Sequence, residues 1–348
     1  MLKVVKLGRR FIVTQLNKCL RDSRQLRLRP LFVHAKRIQK KGKLMRVLLL
    51  FALFMVSVQT KAAATLPVRE VAAGVYVHFG KHQFPDSKNH GEIANLGFIV
   101  GQKCVAVIDS GGNPEQGLAL KQAVTETTQT PICYVINTHV HPDHINGNSA
   151  FKAAGVKFVG HHKLARAMAA RGSYYLDKAA DQLGVKMSAA DLIPPDIEVK
   201  DSLELDLGGR TLILKAHPTA HTDNDLSVYD EKTNTIWLSD LLFTEHVPTL
   251  DGSLKGWLSE IEKLEKRSFH YVIPGHGELV TDWPQSMQAQ KHYLTLLLTE
   301  IRAAIKKGQH IEDAVKTVGY SEKNNWALFD EYHRKNVTTA FAELEWED

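Results

Sequence analysis

Residues 137–148 read NTHVHPDHINGN, and this segment constrains the chain more than any other. His139, His141, Asp143 and His144 put four metal-capable side chains into six residues, directly after TPICYVINTH (130–139), an apolar run that reads as a strand. Four such groups packed this closely cannot all face one ion. A tight turn leaving a strand can send two histidines one way and the Asp-His pair the other, an arrangement that supports two adjacent metals. Hydrated surface histidines would have no reason to gather at a strand exit. The fold must therefore bring further ligands to the same strand end.

The rest of the chain offers them in an α/β pattern. GVYVHFG (74–80), ANLGFIVGQKCVAVIDSGG (94–112), NTIWLSDLLF (234–243) and HYVIPGHG (270–277) read as strands entering loops. EQGLALKQAVTET (115–127) has helical character, and GVKFVGHHKLARAMAARG (155–172) reads as a strand and then a helix. IEVKDSLELDLGGRTLILKAH (197–217) predicts a hairpin turning at Gly208 and Gly209, and from Trp283 onward the spacing is helical. Three strand exits each carry one more ligand: His221 in PTAHTDND, Asp240 in WLSDLLF and His276 in VIPGHGE. The expected assignment places His139, His141 and His221 on one metal and Asp143, His144 and His276 on the other, with Asp240 bridging. This nitrogen and oxygen set, free of thiolate, favours two Zn²⁺, with Fe or Mn as the alternatives.

Charge is divided unevenly along the chain. The net charge is +6, but residues 1–44 hold 14 of the 44 Lys and Arg against one acid, Asp22, so this segment is +13 and the remainder −7. A nucleic-acid role for the folded body thereby loses its electrostatic support. From Met45 the sequence runs MRVLLLFALFMVSVQTKAAA, basic residues followed by an apolar run of twelve and then Ala62, Ala63 and Ala64. That run is short for a hydrocarbon span of about 30 Å and fits the apolar region of a secretory signal, with an uncleaved anchor helix as the alternative. The expected organisation is a basic leader or over-extended start over 1–44, a signal peptide over 45–64 cleaved after Ala64, a catalytic domain over 65–282 and a helical segment over 283–348 packed on it. The mature protein is expected in the periplasm or secreted, with no stable membrane anchor. Cys104 and Cys133 are expected as buried free thiols, because bridges between adjacent strands strain the usual geometry.

The H-x-H-x-D-H motif at 139–144, Asp109 of VIDSGG, His221-Thr222, Asp240 of LSDLLF and PGHG at 274–277 occur in the order found in the metallo-β-lactamase superfamily, which the chain resembles over nearly all of residues 67–282. The resemblance implies an αββα sandwich with a C-terminal helical extension, and makes Asp109 a residue that orients a ligand rather than binding metal. An acid at Asp240 points to a glyoxalase II-like dinuclear site rather than a class B β-lactamase. LLFTEHVPTLDGSLKGWL (241–258), together with AHTDNDLSVYD (220–230), resembles the quinoprotein relay system zinc metallohydrolases. Ala220 before His221 and Asp223-Asn224-Asp225 after Thr222 depart from the superfamily's usual Gly and Pro-Gly, which argues against glyoxalase II itself.

The implied activity is hydrolysis of an ester, thioester or lactam-type bond in a small acyl substrate. A hydroxide between the metals would attack, oriented by Asp143, and quinoprotein-system components stand as the candidate partners. The rival readings are a class B β-lactamase-like enzyme, an iron-dependent sulfur oxidoreductase and a non-catalytic metal-binding partner protein. Among the remaining residues, His217 is expected beside the ligands or in solvent, and His161 and His162 on the surface. Glu245, His246, Asp251, Lys255 and Trp257 either line the substrate pocket or cap a loop. Trp283, Trp326, Tyr332 and Trp346 read as packing aromatics, and Leu294 with Leu296–298 as a buried helix face.

Overall fold

The computed structural model describes residues 65–347. The leader, the signal peptide and its cleavage point lie outside the described residues. Two sheets form the centre. The first has strand order β1 (Arg69–Ala72), β2 (Val75–His78), β3 (Leu96–Val100), β4 (Val105–Ile108), β5 (Ile132–Asn137), β6 (Lys157–His161) and β7 (Ile197–Val199). It is antiparallel up to β4 and parallel beyond it. The second runs β12 (Tyr271–His276), β11 (Thr235–Phe243), β10 (Leu226–Asp230), β9 (Thr211–Ala216) and β8 (Ser202–Asp206), with β11 and β12 parallel.

The layers follow from which faces are apolar. Val75, Val77, Ile108 and Ile136 of the first sheet meet Leu212, Leu214, Trp237 and Ile273 of the second in one core. The outer face of the first sheet, with Phe98, Val107 and Val135, is covered by Leu120 and Val124 of α1 (Pro114–Thr127). That helix starts where Asn113 Oδ1 accepts the Gln116 N–H and Pro114 fills the first turn. After β5 come the single-turn α2 (Pro142–Ile145) and, after β6, α3 (Leu164–Leu183). The outer face of the second sheet, with Ile236, Leu238 and Val272, is buried by α4 (Leu254–Leu264), α5 (Gln288–Lys306), α6 (Ile311–Thr317) and α7 (Phe329–Leu344) through Trp257, Ile261, Leu297, Ile301 and Phe341. This is an αββα sandwich with a C-terminal helical region. No helix among the described residues is long and apolar enough to cross a membrane.

Strands that are buried on both faces explain why β4, β11 and β12 read as continuous apolar runs in the sequence. The hairpin expected over 197–217 is narrower than that range: β8 and β9 pair across Gly208 and Gly209, both at positive φ, while β7 joins the other sheet. Leu294 and Leu297 are fully buried in the helical core, with Leu296 and Leu298 half-buried beside them.

Three expectations are corrected. Cys104 and Cys133 form a disulfide, with Cα atoms 5.5 Å apart. The β4–β5 register steps from Val105↔Ile132 to Ala106↔Tyr134, so Cys133 is an extra residue with no partner in the ladder, and this irregularity lets its side chain meet Cys104. His161 is buried, because it ends a strand that is covered by the start of α3, where its Nδ1 accepts the Lys163 N–H; His162 is half-buried. Trp346 follows the end of α7 and is 82% exposed, whereas Trp326 is buried and Trp283 packs against the helical core.

Candidate metal centre

The C-terminal ends of β4, β5, β11 and β12 and the loop after β9 converge on one edge of the sandwich. Pro142 starts α2 immediately after His141, so the chain turns sharply and presents His139 and His141 before the turn and Asp143 and His144 within it. The structure gathers the seven sequence-derived candidates into two groups, His139, His141, His221 and Asp240 in one and Asp143, His144 and His276 in the other.

In the first group His139 Nε2 and His221 Nε2 lie 3.1 and 3.0 Å from His141 Nδ1, and 3.6 and 3.3 Å from Asp240 Oδ2. In the second, Asp143 Oδ2 lies 3.5 Å from His144 Nε2 and 3.4 Å from His276 Nε2. Asp240 reaches this group too, with Oδ1 3.2 Å from His144 Nε2 and Oδ2 3.6 Å from His276 Nε2. Ligands about 2.0–2.1 Å from a tetrahedral zinc lie about 3.3 Å from one another, so these spacings fit bound cations.

The outward nitrogen of each ring shows which atom faces inward. His221 Nδ1 lies 2.6 Å from the Thr249 carbonyl and His276 Nδ1 2.8 Å from the Ile93 carbonyl, and a carbonyl only accepts. His144 Nδ1 donates to Asp109 Oδ2 at 2.8 Å and His141 Nε2 to Asp251 Oδ2 at 3.2 Å. Thr138 Oγ1 donates to Asp109 at 2.8 Å, which leaves it to accept from His139 Nδ1 at 3.1 Å. Assigned from these partners, each of the five rings in its neutral form turns its unprotonated nitrogen toward the centre, where a cation can replace the proton. His144 Nε2 and Asp240 Oδ1 are buried without a hydrogen-bond partner, a costly arrangement for groups that bind nothing.

Electrostatics point the same way. Burial opposes charge on His144, yet Asp240, Asp143 and Asp109 outweigh it and hold its pKa well above the ordinary value. Burial likewise works against a charged His276, and Asp240 and Asp143 lift it to about 9. Burial would raise Asp143, but His144 and His276 bring it down to about 2. His221, which lies deeper among like rings, is driven down to about 3, chiefly by burial. Three carboxylates in a buried pocket thus create a field that draws in positive charge.

Residues beside the motif settle what the spacing left open. Asp109 sits at positive φ and orients His144. Burial would raise the Asp251 carboxyl, but the hydrogen bond and charge of His141, then Lys335 at 3.3 Å and Arg171, hold it well below the usual range. His246 lines the cavity in front of the centre; Lys255 pairs with Glu347 at 2.7 Å, Trp257 is core, and the exposed Glu245 faces His82. His217 lies neither beside the ligands nor in solvent: it is buried between Glu260 (3.0 Å) and Ser227 (2.8 Å), tying the end of β9 to α4. This Ser-His-Glu relay is sealed, with Ser227 buried, and has no nucleophilic role.

The cavity holds about 210 Å³ and is floored by His141, Asp143, Asp240 and His276. One wall is a helical stripe of α3, Tyr175, Lys178, Ala179, Gln182 and Leu183, and another is α7 with Tyr332 and Lys335. In sequence Tyr332 reads only as packing and α3 has no part in the site, since neither carries a local motif. Thr138 and Ser239, hydrogen-bonded to each other at 2.8 Å, were also missed, although both adjoin motif residues.

This fold and the paired ligand groups define a member of the αββα sandwich class with a centre able to hold metal. The Metallo-beta-lactamase superfamily profile matches residues 91–276, and the chain belongs to that superfamily. It is 24% identical over 223 residues to the metallo-beta-lactamase type 2 of Bacillus sp. (strain 170), covering 62% of this chain and 77% of that one. It is 20% identical to the beta-lactamase-like protein 2 homolog of Caenorhabditis elegans, covering 66% and 70% of the two chains. Solved metallo-beta-lactamases from Pontibacter korlensis and Hirschia baltica superpose with a TM-score of 0.52 at 19% identity, over 66% of this chain and 99% and 98% of theirs, which shows the shared fold.

Proposed function

We propose that this chain is an exported dinuclear zinc hydrolase that cleaves an ester, thioester or lactam-type bond in a small acyl substrate. The observation that carries the reading is Asp240, whose carboxylate lies within 3.6 Å of four imidazole nitrogens drawn from both ligand groups. His139, His141 and His221 would hold one cation, Asp143, His144 and His276 the other, and Asp240 both. Bound divalent cations supply Lewis acidity and bring the pKa of water toward about 7. Asp143, kept ionised, accepts a hydrogen bond from the attacking water and so orients it. Ile93, Phe243 and Leu183 give the cavity apolar walls that limit bulk water at the scissile bond.

The Cys104–Cys133 bridge supports export, because such bonds persist in oxidising compartments, and the signal-like pattern of residues 45–64 supports the same reading of a periplasmic or secreted mature protein. The likeness of residues 241–258 to the quinoprotein relay metallohydrolases supports a physiological link to quinoprotein oxidation. Two measurements test the catalytic reading together: elemental analysis of the purified protein and initial rates on a panel of aryl esters, thioesters and β-lactams. The expected result is two zinc equivalents, with ester or thioester turnover exceeding that on β-lactams. One equivalent of metal overturns the bridging arrangement, iron with oxygen consumption overturns the hydrolase, and preferred β-lactam cleavage reverses the substrate ranking.

A further inference from the structure

We propose that Tyr332 is a catalytic residue, its phenol hydroxyl donating a hydrogen bond to the acyl oxygen of the substrate, so that the C-terminal helix α7 completes the active site. The inference rests on the hydrolase reading above and deepens it.

Tyr332 lines the same cavity as Asp143, Asp240 and His276, although it lies far beyond the region matched by the superfamily profile, which ends at residue 276. Its ring is fixed on two sides, stacked on His246 at 5.8 Å and 24° and set against Phe84 at 5.7 Å. His246 in turn stands 4.9 Å from His276, so the stack anchors the phenol to the metal-ligand shell. Burial pushes the phenol's pKa up, and no hydrogen bond from the described residues acts on it. The hydroxyl therefore stays protonated and remains free to donate.

The cavity needs such a donor. Its floor presents carboxylates, and His246 adds another acceptor, because its Nδ1 donates to the Val247 carbonyl at 2.8 Å and leaves Nε2 unprotonated. Lys335, one turn further along α7, is committed to Asp251. Tyr175 contributes its ring to the cavity, but its oxygen is sealed from it, beside Arg171. On the α3 wall Gln182 donates to the Pro85 carbonyl at 3.0 Å and Lys178 is a charged amine, so Tyr332 is the neutral donor of the α7 wall, with no hydrogen bond among the described residues. An acyl oxygen gains negative charge as its carbonyl is attacked, so a hydrogen bond from Tyr332 strengthens along the reaction and acts on kcat.

The test is Tyr332→Phe in the full-length, zinc-loaded protein, which keeps the ring stack and removes only the hydroxyl. With 4-nitrophenyl acetate, kcat is expected to fall about 10- to 100-fold with KM changed less than about threefold. The dissociation constant for phenylphosphonate, a mimic of the tetrahedral oxyanion, should rise by a similar factor in calorimetry. Metal content and thermal midpoint should match the parent, since the lost hydroxyl had no protein partner. Unchanged kcat and phosphonate affinity in an active parent overturn the role of Tyr332, as does a fall in thermal midpoint accompanied by metal loss, which would make the residue structural. A parent that hydrolyses no ester or thioester, and is indistinguishable from its Asp143→Asn variant, overturns instead the hydrolase reading on which the inference rests.

Discussion

Gly275 offers a severe test of the shared carboxylate. A Cβ built at Gly275 would lie 1.8 Å from Asp240 Oδ1, with the Asp240 and Ser239 backbones at 2.8 Å. An ordinary contact is about 3.4 Å or more, so Gly275→Ala demands a displacement of at least about 1.6 Å from one partner. Asp240 cannot easily supply it, because its carboxylate is hemmed in by four imidazoles and Ser239, the residue before it, already stands at positive φ. If β12 moves instead, it carries His276, the next residue, out of the second ligand group. Either shift breaks the sharing that defines the site. Overpacking of this kind costs about 1–3 kcal/mol of stability, and a misplacement of about 1 Å can cost about 100-fold in rate. Gly275→Ala should therefore retain at most one tightly bound metal by elemental analysis after dialysis, and should lose two orders of magnitude or more in kcat on an accepted ester while still folding by circular dichroism. A variant with two metals and parental turnover would refute the claim that Asp240 is shared between them.

Asp143→Asn should leave the fold intact and lower turnover by about two or more orders of magnitude, read from kcat on any accepted ester. Asp109→Ala removes the acceptor that orients His144 and should weaken metal binding about 10- to 100-fold, read from competition with a chromophoric chelator. Replacing Cys104 and Cys133 by Ser opens a cross-link between residues 29 positions apart and should cost about 3–4 kcal/mol, seen as a lowered thermal midpoint that added reductant does not lower further. His161, brought down to about 4 chiefly by burial, is less basic in the folded protein than in the unfolded chain, so its contribution to stability is complete above about pH 6.5 and is lost as pH falls toward 4. His161→Asn should flatten the thermal midpoint's pH dependence over that window relative to the parent.

The part of the site that could be read from sequence is the part that a short stretch of chain builds alone. Residues 139–144 announce themselves because one turn holds four ligands, and the strand exits then offer His221, Asp240 and His276, in the order the superfamily shows. Among the groups that orient those ligands, Asp109 belongs to the same superfamily pattern, but others do not. Two are backbone carbonyls, of Thr249 and Ile93, which every residue possesses and no residue type reveals. The third, Asp251, looked no different from a loop cap until the fold set it between His141, Arg171 and Lys335. The disulfide escaped for a related reason, since it depends on a one-residue slip between β4 and β5 that no periodicity records.

The C-terminal helices show where a correct local reading stops short of function. Helical spacing after Trp283 reflects packing against the second sheet, and Leu294, Leu297, Ile301 and Phe341 do pack there. Tyr332 lies in the same run of helices, and as an aromatic residue there it reads as packing. Yet the turn of α7 that carries it reaches past the sheet to the open edge where β11 and β12 deliver Asp240 and His276. A helix anchored by its apolar face can present a residue to a site assembled elsewhere in the chain, and a rigid anchor is what a hydrogen-bond donor needs if it is to be in place before charge develops. The same segment that buries the outer face of the second sheet thus also lines the cavity in front of the candidate metal centre.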